Sequence, residues 1–178
     1  MRWEESVLSM FDDLEMQADG LHLAERAVEV EELSVAQYAE VELGGRLHGS
    51  LGRPVHVRLE DGPELRGRLA RVGLDWLLLE DDAAAWVVHL PAVVALTGLG
   101  PGSRPADALP VSARLTLRSV LRRLAAERQP CAVHLRGGRS LSGTLVRVGA
   151  DFVELASDET GGPVTVPLAA VSVVQERS

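Results

Sequence analysis

The chain carries one stretch twice. Residues 54–79 (PVHVRLEDGPELRGRLARVGLDWLLL) and 130–155 (PCAVHLRGGRSLSGTLVRVGADFVEL) align without a gap, and 12 of the 26 positions are identical. A repeat this clear sets the architecture before any single residue is interpreted. Within it, Val55, Val57 and Leu59 alternate with His56, Arg58 and Glu60, the period of a half-buried strand. Asp61-Gly62 signals a hairpin turn. Gly67 and its twin Gly143 lie inside the second strand, where glycine marks a bend or a close backbone approach. Residues 76–79 are continuously apolar, and apolar runs at 86–90 and 93–97 complete five strands. The second copy predicts strands at 131–135, 141–148, 152–155, 164–166 and 171–174.

Gly- and Pro-rich residues 98–110 (GLGPGSRPADALP) read as a linker. Residues 115–128 follow as a helix, with Leu117, Val120, Leu121 and Leu124 on one stripe. At the N-terminus Trp3, Val7, Met10, Phe11 and Leu14 form another helical stripe, a candidate interface that needs a surface to cover. A second helical stretch spans about residues 21–38, and Val41, Leu43 and Leu47 extend it toward the first strand. The expected divisions are a helical extension (1–50), a first β unit (51–98), a linker (99–112) and a helix with the second β unit (113–178).

Charge and cysteine content narrow the classes. Residues 1–50 hold twelve acidic and three basic side chains, and residues 51–178 hold fourteen and fifteen, so the net −8 belongs to the N-terminal segment. All 18 basic residues are arginine. Such a balance gives no long-range pull toward nucleic acid. No run of about 18 apolar residues is present, which argues against a membrane span. The acidic start lacks a signal peptide's basic and apolar regions, and the single Cys131 cannot form an internal disulfide. These features point to the cytoplasm.

The layout and its residues resemble the Sm-like family, which includes the LSm and Hfq-like proteins. The first Sm motif matches Val55-x-Val57-x-Leu59, Gly62, Leu65 and Gly67-x-Leu69 in one copy. In the other it matches Val133-x-Leu135, Gly138, Leu141 and Gly143-x-Leu145. Glu127 to Leu135 is similar to the Hfq helix-to-strand junction. The resemblance implies a mainly β (α+β) protein of two tandem five-stranded Sm-like barrels, each preceded by a helix. It implies edge pairing as the route to assembly, with Val87, Val88, Val93, Val94, Leu96, Val164, Val171 and Val173 as the candidate edges. It also implies RNA contact, with Arg118, Arg122, Arg123 and Arg128 as candidates on a basic rim and His89 as the candidate at the end of the second Sm motif. The family's RNA-contacting Asp and Asn are replaced by Gly73 and Leu77 in one copy, and by Gly149 and Val153 in the other.

Other candidates each have a structural alternative. Trp76 and Phe152 occupy equivalent positions, suited to core packing or to base stacking. Arg71 with Asp75, and Arg147 with Asp151, are spaced for an ion pair across a turn or for bonding the turn backbone. The five histidines show no ligand spacing, so no metal or cofactor is expected. No catalytic constellation is recognisable. The expectation is a non-enzymatic assembly and interaction module, whose partners are the chain itself and an unidentified protein. The alternative is an RNA-binding protein of Hfq-like type.

Overall fold

The structure is a computed structural model that describes residues 38–177. The chain divides into two compact units, Met1–Val41 and Glu42–Ser178. The stripe Trp3, Val7, Met10, Phe11 and Leu14 and nearly all of the helical stretch 21–38 lie outside the described residues.

Within the second unit, α1 (Leu43–Gly49) precedes β1 (Pro54–Leu59), β2 (Leu65–Val72), β3 (Trp76–Glu80), β4 (Ala85–His89) and β5 (Val93–Thr97). Then α2 (Leu117–Glu127) precedes β6 (Pro130–Leu135), β7 (Ser140–Val148), β8 (Phe152–Ser157), β9 (Pro163–Pro167) and β10 (Val171–Glu176). All ten strands form one antiparallel sheet, ordered β5-β1-β2-β3-β4-β10-β6-β7-β8-β9. This corrects the expectation of two separate five-stranded barrels, because the sheet is continuous and open.

The reason lies at the junction. β4 pairs with β10, in the register Val88↔Val173, Val87↔Val174 and Trp86↔Gln175. β-branched residues on uncharged edges favour such pairing, since an unpaired edge leaves N–H and C=O groups without partners. Side chains cross with the strands. Val173 of β10 is buried in the cluster of Val55, Leu69, Leu77, Leu79 and Val88. Trp76 and Val87 are buried in the cluster of Leu117, Leu121, Val133, Leu145, Val153 and Leu155. Each half completes the other's core, so neither is a closed unit.

The repeated glycines make the strands bend alike. A Cβ on Gly67 would stand 2.9 Å from the Glu80 carbonyl oxygen, and one on Gly143 would collide with that of Ala156. Both long strands also slip register after the equivalent Leu69 and Leu145. A bulge there increases twist and bending.

α2 buries the expected stripe. Leu117 and Leu121 are fully covered, and Val120 and Leu124 pack partly against the same core. The helix ends at Arg128, whose φ of 50° is left-handed. The linker is tied down rather than free. Gly100 donates to Ser50 Oγ at 2.9 Å, and the Arg104 amide donates to the Gly45 carbonyl at 3.0 Å.

Candidate functional site

Three places could carry function: the β4–β10 seam, the sheet's outer edges and the arginines of α2. At the seam, the turn between β2 and β3 grips the entry to α2. Asp75 Oδ1 accepts the Leu117 amide at 2.6 Å. Leu115 offers one carbonyl to two donors, Trp76 Nε1 at 2.8 Å and the Leu74 amide at 2.9 Å. Asp75 therefore serves as a helix cap. It forms no ion pair with Arg71, and Asp151 forms none with Arg147, which instead lies 3.9 Å from Glu154. His89 is buried, and its Nδ1 donates to the Val171 carbonyl at 3.0 Å. It is therefore a seam residue and not a surface cation.

Beside the seam a cleft of about 790 Å³ runs under α2, lined by Trp76, Leu78, Val87, Val120, Leu124 and Val174. Its lining is mostly apolar, with Arg71, Arg123, Glu127 and Glu176 also contributing. Cys131 reaches it, but burial pushes its thiol pKa up, against smaller opposing effects from a Leu145 backbone hydrogen bond and Arg177. A protonated thiol is a poor nucleophile. Among the described residues no group of three or more His, Cys, Asp or Glu side chains could hold a metal ion. None of their helices is long and apolar enough to cross a membrane.

The edges can be read donor by donor. At β4, the Leu90 amide donates to Asp75 O and the Asp81 amide to Ala84 O. Alternation then turns the Val88 and Trp86 amides toward β3, and those of Ala85, Val87 and His89 toward β10. At β9 the Leu168 amide donates to Asp151 O in the same way. The outward positions there are Pro163, Thr165 and Pro167, so only Thr165 offers an N–H. Among the described residues β5 pairs only with β1, and its bulge at Arg58/Leu59 leaves Val94 and Ala95 both exposed. The Ala95 and Thr97 amides face β1, and the Leu96 amide faces outward.

Of the candidate edge residues, Val87, Val88, Val171 and Val173 are therefore spent inside the sheet. Val93, Val94 and Leu96 lie on one outer strand and Val164 on the other.

The arginines fall into different settings. Arg123 pairs with Glu127 at 2.9 Å, and Arg118 reaches the Ala150 carbonyl at 3.4 Å. Arg122 and Arg128 line a shallow recess of about 400 Å³ together with Arg147. Arg147 was a turn candidate in sequence. Its place beside Arg122 depends on how α2 lies on β7, which linear spacing does not encode.

Over the described residues these features define a mainly β protein with one open ten-stranded antiparallel sheet. No family model matches the chain, and no curated protein matches it.

Proposed function

We propose that the chain is a non-enzymatic interaction module, of distant Sm-like kinship, that takes a partner strand on the outer edge of β5. The observation that carries this reading is the seam. β10 and β5 stand in the same position in their halves, each following a 3-10 turn and flanking the first strand of its half. β10 accepts β4 on its outer side, while among the described residues β5 has no partner on that side. Main-chain pairing would supply the affinity, and alternate side chains the selectivity.

A peptide of residues 84–90, which contain β4, is the probe. It is expected to slow hydrogen exchange of the Leu96 amide. A peptide carrying Val87→Pro lacks the central donor and binds about tenfold more weakly, the equivalent of about 1.4 kcal/mol for a lost bond. Equal binding by the two peptides, or no protection of Leu96 at millimolar peptide, rejects the reading.

One observation favours a second reading, RNA contact: Arg122, Arg128 and Arg147 share a recess. Binding of a mixed RNA pool should then weaken steeply with salt and fall with Arg122→Glu and Arg147→Glu. No affinity at low salt removes this reading.

A further inference from the structure

The sheet has two ends, and the repeat makes them comparable with the seam. In chain order, β9 is to the second half what β4 is to the first, and the turn 149–152 corresponds to 73–76. The two turns share their backbone bonding. Gly73 N donates to Trp76 O at 2.9 Å, and Gly149 N donates to Phe152 O at 2.8 Å. Leu90 N donates to Asp75 O and Leu168 N to Asp151 O, both at 2.8 Å. A second copy could therefore bring its β5 to β9, as β10 comes to β4.

The outer donors that such a contact would use are missing, and only the central one, on Thr165, is kept. Trp76↔His89 and Glu80↔Ala85 in the first half correspond to Phe152↔Pro167 and Ala156↔Pro163 in the second. Two of the three N–H groups that β4 turns toward β10 are thus replaced on β9 by proline nitrogens. Proline has no N–H to donate, and its ring occupies the space where the neighbouring strand would approach. The indole N–H that holds the α2 entry through Leu115 is also lost, because Phe152 has no donor. Both proline departures fall on the contacting side, while the inward bonds of β9 to β8 are kept.

We propose that Pro163, Pro167 and Phe152 form a built-in stop that ends the sheet at β9 and prevents head-to-tail growth of the chain. This rests on the reading of β5 as an accepting edge. It makes association one-ended, so a partner strand can dock at β5 without recruiting further copies at β9. Edge prolines are a known means of blunting a sheet.

The test restores the missing donors. Pro163→Ala, Pro167→His and Phe152→Trp are combined in the full chain, at edge and half-exposed positions. The unsubstituted chain should show no β9–β5 association. The triple variant should form concentration-dependent oligomers by light scattering, with self-association tightened by up to about tenfold for each backbone bond restored. The seam register carried over to this contact sets Val164 opposite Thr97 of the next copy. Chains carrying Val164→Cys should then form a disulfide with chains carrying Thr97→Cys in the triple background only. Crosslinking in the unsubstituted background overturns the stop. So does a folded triple variant that stays monomeric while the β4 peptide still protects Leu96, and in that case the β5 reading survives. If the peptide fails as well, the β5 reading falls and the proposal with it.

Discussion

Val173→Asp is expected to unfold both halves of the sheet at once. Val173 belongs to β10, near the C-terminus, yet its side chain is 0% exposed within the core built by β1, β2 and β3. A carboxylate there has no partner, and an uncompensated buried charge costs about 3–5 kcal/mol. Loss of valine packing adds about 2 kcal/mol, the cost expected of Val173→Ala alone. Against a domain stability of about 5–15 kcal/mol, this removes most of the folded population. Tryptophan fluorescence during urea unfolding checks it, since the Trp86 ring packs on the first core and the Trp76 indole lies in the second. One transition, shifted strongly to lower urea, is the expected result. Two separate transitions would mean that the halves fold independently.

That dependence marks where sequence reading succeeded and where it stopped. Alternation tells which residues of a strand face inward, so ten strands could be placed from Val55-x-Val57-x-Leu59 and its counterparts. It does not tell which strand lies alongside. Val87, Val88, Val171 and Val173 read as edges that seek a partner, and they found each other within the chain. Polar residues were harder still. His89 precedes an apolar turn and reads as a surface cation, but it fills the seam and bonds Val171 O. Asp75 lies four residues from Arg71, while the group it accepts from is the amide of Leu117. Such partners are set by how α2 packs, and local spacing carries no record of that. The direction of the N–H groups missing at Pro163 and Pro167 follows from the β8–β9 register, which local sequence does not carry.

The equivalent aromatics should respond very differently to truncation. Trp76 is 8% exposed and Phe152 is 36% exposed, although both follow the same Gly-x-Asp turn. Gly73 and Gly149 make room for the two rings, since a Cβ at either would overlap the aromatic three residues on. From there the environments diverge. The indole lies in the second core with Val87 and Leu117 and donates to Leu115 O. Trp76→Ala should cost about 3–5 kcal/mol, because it opens a cavity at the junction and removes a hydrogen bond. Phe152→Ala should cost about 1 kcal/mol, since much of that ring already meets solvent. Trp76→Phe separates the two contributions. It keeps most of the packing, and Leu115 O retains the Leu74 amide, so a cost of about 1–2 kcal/mol is expected. Urea midpoints of the three variants provide the comparison. Near-equal losses for Trp76→Ala and Phe152→Ala would mean that the two turns are equally engaged, and the asymmetry between the seam and the β9 end would disappear with that result.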